Sequence, residues 1–308
     1  MQTTSHLLMI KPVQFGYNEQ TAINNSFQAN NQNHQTQENA LTEFNNFVSL
    51  LQQHDIDVTV VEDTITPHTP DSIFPNNWIS FHDDGTIILY PMFAENRRNE
   101  RKQSVIEAIQ NKFQINYSVD YTPFENEHIF LEGTGSMILD RVHQIVYACI
   151  SQRTSEKLVN KFCNDLDYHP ILFHATDANN QLIYHTNVMM CLADEFAIVC
   201  MESIQDNNEK DALLTSLEQT AKELITISLD QMNHFAGNML QVHNSNNEKF
   251  LIMSSQAFQS LTEEQIASIE KYNTILHSNL LTIETNGGGS ARCMMAEIFL
   301  PLKENGNN

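Results

Sequence analysis

Five side chains of four different chemistries recur at nearly equal intervals along the chain. Asn77 to Glu132 is 55 positions, Glu132 to His185 is 53, and two further steps of 53 and 55 lead through Asn238 to Cys293. Cys293 is the candidate nucleophile, because a thiolate attacks electrophilic carbon once a base or local field removes its proton. His185 is the candidate acid/base, since imidazole changes charge near neutral pH. Glu132 would orient that imidazole and stabilise its charged form, as a carboxylate does in other nucleophile–base–acid sets. Asn77 and Asn238 bring carboxamides, each both a donor and an acceptor. A repeat that served packing alone would repeat an apolar residue, whereas this one repeats five polar ones.

Glycine is scarce, nine in 308 residues, yet Gly133 and Gly135 follow Glu132 and Gly287, Gly288 and Gly289 precede Cys293. Small residues at these places let backbone come close to a substrate. Cys149, Cys191 and Cys200 sit inside apolar runs and read as small buried hydrophobes. Arg97 and Arg98 stand at the expected start of one helix and Arg153 at the start of another. An arginine fork there suits a carboxylate or serves simply as a solvated helix end. Asp71 precedes the string IFPNNW and is either a partner for a substrate N–H or a turn residue.

The elements that must position these residues follow from hydrophobic period. Helical faces are expected around Leu41, Phe44, Phe47, Val48 and Leu51; around Val105, Ile106, Ile109 and Phe113; and over 153–166 with Leu158, Val159 and Phe162. A fourth face holds Leu213, Leu214, Leu217 and Ala221, and a fifth Leu261, Ile266 and Ile269. Strand-like runs lie between them at 86–92, 136–139, 144–150, 196–201 and 249–254, with Asp140 to His143 as a hairpin connection. Two strands, a helix and a strand, five times over, predict a closed α/β assembly of pseudo-five-fold modules in one domain spanning 1–308. In such a ring the recurring polar residues would meet at the axis. The Asn- and Gln-rich stretch 18–38 reads as a mobile loop.

Composition narrows the partners. Sixteen basic against 38 acidic side chains leave a net charge of −22, which opposes nucleic acid and anionic membrane surfaces. It accommodates a neutral or cationic small molecule. No run approaches eighteen apolar residues, and the start MQTTSHLLMIKP lacks the features of a signal peptide. Five cysteines without CxxC spacing fit reduced thiols in a cytoplasm. HExxH, GxGxxG and Walker patterns are absent from the sequence, so metal and nucleotide chemistry are not expected. A homo-oligomer is compatible with all of this.

The strings PDSIFPNNW, AENRRNE, LEGTG, SQRTSE, YHTN and NGGGSARC, spread over residues 7 to 301, resemble the guanidino-group-modifying, or pentein, superfamily. Within it the chain resembles amidinotransferase-like proteins, and in particular the citrulline-utilisation hydrolase branch. The resemblance implies a five-bladed α/β propeller with ββαβ modules and a covalent cysteine mechanism without metal or organic cofactor. It implies Cys293 as nucleophile, His185 as acid/base and Glu132 as its partner. It also implies that Arg97 and Arg153 hold a substrate α-carboxylate and that Asp71 contacts substrate. Two departures stand out. Asn76 and Asn77 replace the acidic residues that complement a guanidinium, and Asn187 of HTN replaces an aspartate. Both remove negative charge and favour a neutral ureido group, so citrulline is the expected substrate. Arginine dihydrolysis or deimination, amidino transfer, and a catalytically silent amino-acid-binding protein are the alternatives.

Overall fold

The computed structural model describes residues 1–31 and 33–303. Strand β1 (His6–Lys11) leads through helix Thr36–Gln53 to β2 (Asp57–Glu62), which lies parallel to β1. Four modules follow on a common plan of antiparallel hairpin, helix and parallel return strand. The first is β3 (Ile79–Phe81), β4 (Thr86–Leu89), helix Gln103–Lys112 and β5 (Tyr117–Asp120). Next come β6 (Met137–Asp140), β7 (Ile145–Cys149), helix Glu156–Leu166 and β8 (His169–Phe173). The third is β9 (Met190–Leu192), β10 (Phe196–Val199), helix Asn207–Gln219 and β11 (Glu223–Thr226). The fourth is β12 (Leu240–His243), β13 (Lys249–Ser254), helices Ser255–Ser260 and Glu263–Glu270, and β14 (Thr274–Ser278). Finally β15 (Ala296–Glu297) pairs antiparallel with β1. The module begun at the N-terminus thus receives its missing strand from the other end of the chain. The result, among the described residues, is a mixed α/β fold of five three-stranded sheets.

The helices form where the apolar period placed them. Thr36–Gln53 buries Ala40, Phe44, Phe47, Val48 and Leu51 along one stripe, while Leu41 is only half-buried. Burying each large side chain contributes roughly 1.5–3 kcal/mol. Glu156–Leu166 buries Leu158, Val159, Phe162 and Cys163. The expected fifth helix is instead two. Thr262 accepts the Gln265 backbone N–H and Gln265 returns the bond, a capping box that starts a new helix at Glu263. Leu261 therefore lies in the joint, directly before the cap.

Two other expectations need correction. Arg97 and Arg98 sit on a 3-10 turn, Glu95–Glu100, separated from helix Gln103–Lys112 by two residues. Arg153 precedes its helix, which begins only at Glu156, and lies in a turn bridged between Ser151 and Thr154. The stretch 18–38, expected as a mobile loop, holds a short helix (Glu19–Ala22) and the start of Thr36–Gln53. Within it Asn18, Thr21, Asn25 and Gln28 are buried; residue 32 lies outside the described residues. It has no apolar stripe because its burial is satisfied by carboxamides, which bond through both ends.

Each recurring polar residue stands just ahead of the first strand of a sheet. Asn77 is two residues before β3, Glu132 five before β6, His185 five before β9, Asn238 two before β12 and Cys293 three before β15. Equal spacing thus conceals two classes of position. Glu132 and His185 both occupy the residue that starts a short helical turn, whereas Asn77 is the last residue of one. The turn Gly133–Ser136 packs against both Pro75–Asn77 and Thr186–Val188, which brings three of these places together.

Candidate active site

Glu132, His185 and Cys293 are all buried, and His185 and Cys293 line one cavity with Asp71, Asn77, Arg97 and Arg153. His185 Nε2 lies 2.7 Å from Glu132 Oε2, while Glu132 Oε1 accepts the backbone N–H of Phe93 at 2.9 Å. Burial alone would raise the Glu132 carboxyl. The Arg153 charge and the His185 bond outweigh it and hold the group down at about 2. Burial, against the pull of Glu132, lowers His185 to about 4. At neutral pH the pair is therefore a carboxylate receiving Nε2–H from a neutral imidazole, which leaves Nδ1 as the proton acceptor.

Gly135 makes this geometry possible. A Cβ there would lie 2.4 Å from Asn77 Nδ2 and 2.8 Å from His185 Nδ1. Any side chain would push either the imidazole or the carboxamide out of place. Gly133 holds φ +47°, a left-handed turn that swings the chain past the Asn76 carbonyl.

The substrate-binding candidates divide. Asp71 is buried and accepts from Asn18 Nδ2 at 2.8 Å and Thr21 Oγ1 at 3.1 Å through one oxygen; its Oδ1 has no partner among the described residues. Burial raises its carboxyl, against the pull of Arg97. Asn77 accepts from Arg97 Nη1 at 2.9 Å and donates to Asn76 Oδ1 at 3.1 Å. Asn76 does not line the cavity, so it acts on Asn77 rather than on a ligand. Arg97 is also committed. Glu100 takes its Nε and Nη2 at 2.9 Å each and the Phe74 carbonyl accepts at 3.2 Å. The geometry therefore departs from the carboxylate-holding role expected for Arg97: its paired donors already face a carboxylate, and the free edge positions Asn77.

Arg153 is different. Its hydrogen bonds among the described residues go to neutral oxygens, the Thr21 carbonyl at 2.8 Å and Asn24 Oδ1 at 2.9 Å from Nε, while Nη1 lies 3.7 Å from the Glu132 carboxylate. The ring of Tyr184 lies under the guanidinium at 4.8 Å. An incoming carboxylate would exchange neutral acceptors for a charged one, a gain of roughly twofold in bond strength. Asn18, Thr21, Asn24 and Asn25 thus cover the site, with Asn25 bonded to the Gly288 carbonyl and Gln28 to that of Asn286. Beneath them the cavity measures about 20 Å³, room for about one water. These covering residues were missed in the sequence because a polar, low-complexity stretch carries no period to read.

Burial pushes the thiols of Cys149, Cys163 and Cys191 up to about 12 and that of Cys200 to about 11. No cluster of three or more His, Cys, Asp or Glu suited to a metal occurs among the described residues. No helix among them is long and apolar enough to cross a membrane.

The family model for N,N dimethylarginine dimethylhydrolase, eukaryotic, matches residues 11–300. No curated protein matches the chain. Among solved structures it is similar to apo ArgZ, an arginine dihydrolase from the ornithine–ammonia cycle in cyanobacteria, with TM-score 0.76 and 16% identity over 97% of this chain. It spans 41% of that protein's length, but 98% of the separately solved N-terminal domain, bound to substrate, at TM-score 0.75 and 16% identity over 96% of this chain. A dimethylarginine dimethylaminohydrolase variant in adduct with S-methyl-L-thiocitrulline is similar at TM-score 0.66 and 14% identity, over 96% of this chain and 100% of that one. The chain belongs to the N,N dimethylarginine dimethylhydrolase family, within the pentein superfamily of guanidino-modifying proteins.

Proposed function

We propose that the protein is a cysteine hydrolase acting on a ureido C–N bond of an amino acid, with citrulline as substrate. The observation that supports it most is the convergence of Cys293 and the Glu132-paired His185 on one cavity beside neutral carboxamides. Arg153 would hold the α-carboxylate in place of Asn24, and Asp71 Oδ1 would accept an N–H. Asn77 faces the ureido group, whose carbonyl and N–H match a carboxamide.

His185 Nδ1 takes the Cys293 proton and the thiolate attacks the ureido carbon. Ammonia leaves with the proton from His185, and an S-carbamoyl adduct remains on Cys293. His185 then takes a proton from water, whose oxygen attacks the adduct carbon. The C–S bond breaks, and the released carbamate loses carbon dioxide to give ornithine. The sequence of steps calls on no metal or organic cofactor. Five modules arranged as propeller blades fit this reading, since β15 packs on β3, β6 on β9 and β9 on β12.

Arginine dihydrolysis is the second reading, favoured by the similarity to an arginine dihydrolase and by Asp71, a carboxylate able to face a cation. Ammonia and ornithine release from citrulline and from arginine, each assayed separately, decides between them. Ornithine from citrulline at the higher kcat/KM is expected; turnover of arginine alone overturns the citrulline assignment.

A further inference from the structure

Asn238 keeps the phase of the polar repeat without a role in the steps above. Its side chain is locked: Oδ1 accepts the Arg292 backbone N–H at 3.0 Å and Nδ2 donates to the Asn187 carbonyl at 2.9 Å. Turning the amide over would lose both bonds. The same Nδ2 lies 3.3 Å from Cys293 Sγ. Asn187 brings its own Nδ2 to that sulfur at 3.4 Å, and its Oδ1 is buried with no partner among the described residues. Both asparagines and Cys293 are almost completely buried.

A thiol is a weak donor and a weak acceptor, while a thiolate is a strong acceptor. Two amide donors converging on one sulfur thus favour the anion. The contrast within the chain is direct, because Cys149 Sγ approaches a carbonyl, that of Ile183, at 3.5 Å, which an S–H can use and an S⁻ cannot. His185 does not supply a resting positive charge, being bonded to Glu132 as a neutral imidazole.

We propose that Asn187 and Asn238 are positioning residues that stabilise the Cys293 thiolate as His185 takes its proton and aim the sulfur into the cavity. The proposal rests on Cys293 being the nucleophile and not on which substrate it attacks. The Sγ proton passes to His185 Nδ1, and the two N–H groups donate to the sulfur. When the S–C bond forms, sulfur becomes a thioether and a poorer acceptor. When water's oxygen displaces sulfur from the carbon, the electron pair returns to it and both bonds are restored. An aspartate at 187 would present only acceptors and a like charge to that sulfur. The asparagine of HTN therefore serves the nucleophile, whatever it does for the substrate.

Asn187→Ala isolates the effect, since among the described residues its side chain makes no other hydrogen bond than the one to sulfur. The measurement is the ultraviolet absorbance of the Cys293 thiolate against pH in substrate-free protein, taken as the difference from Cys293→Ser. We expect the midpoint to rise by about one pH unit, tenfold in the ionisation constant, in Asn187→Ala. Asn187→Asp should raise it further. An unchanged midpoint in folded Asn187→Ala and Asn187→Asp overturns the proposal. Because no substrate is present, a shifted midpoint with no citrulline turnover would sink the substrate assignment alone.

Discussion

On the proposed function, the choice between a cationic and a neutral substrate turns on single atoms. Asn77 gives Oδ1 to Arg97 and Nδ2 to Asn76, so replacing it with aspartate removes a donor and adds charge beside Asp71. Asn77→Asp should lower kcat/KM on citrulline by at least about tenfold, one lost hydrogen bond to a reacting group. Unchanged kinetics would remove Asn77 from substrate recognition. The Glu132–His185 pair also predicts how stability depends on pH. Glu132 folded is a stronger acid than unfolded, so its contribution is present above about 4.5 and lost as pH falls toward about 2. His185, depressed from 6.5 to about 4, binds a proton more readily when unfolded, so it too destabilises the fold as pH drops through that window. Denaturant midpoints should decline below pH 6.5 in the native protein and decline less steeply in a Glu132→Gln, His185→Asn double variant. Parallel curves would contradict the assignment. Cys293, His185 and Glu132 were legible because their spacing and their types departed together from a packing repeat. The bonds of Asn187 to sulfur and Arg97 to Glu100 were not, since nothing in local sequence says which way a buried side chain points.

Among the elements, the segment Asn18 to Gln28 covers the proposed site. Its hold on Arg153 uses Asn24, the residue a substrate carboxylate would have to displace. Asn24→Ala should lower KM about threefold or more while kcat stays within twofold, since a competitor of one to two hydrogen bonds is removed. A raised KM would mean instead that Asn24 closes onto bound substrate. Steady-state kinetics with limited proteolysis of the segment distinguishes the two. The strands and helices were largely legible: Phe44, Phe47, Val48 and Leu51 lie on the face their spacing predicts. Where reading failed, a local cap intervened, as at Thr262, or burial was achieved by polar groups, as at Thr21 and Gln28.

For the whole molecule, the sheet that presents Cys293 is built from both ends of the chain. β15 pairs with β1, and the first residues reach across to other sheets. Gln2 donates to the Leu139 carbonyl at 2.8 Å, Thr3 meets His243 Nδ1 at 2.8 Å, and Thr4 donates to the Ile298 carbonyl at 2.7 Å. Thr4→Val keeps the shape but removes that bond and the one Thr4 accepts from the His6 backbone N–H. It should cost about 1–3 kcal/mol in urea unfolding, with activity per folded molecule retained. No loss of stability would mean that the chain ends are not joined through this contact. The five-module plan was visible in the recurrence of strand and helix, but its closure by the two termini was not. A two-residue strand such as Ala296–Glu297 carries no pattern of its own.

The proposed function turns on one covalent step, bond formation between the Cys293 sulfur and a substrate carbon. Intact-protein mass spectrometry on enzyme quenched during turnover of citrulline tests it most directly. A mass increase matching a carbamoyl-type adduct, mapped to Cys293 and absent in Cys293→Ser, is the predicted result. Turnover with no adduct on Cys293, or an adduct and turnover that survive in Cys293→Ser, would contradict it.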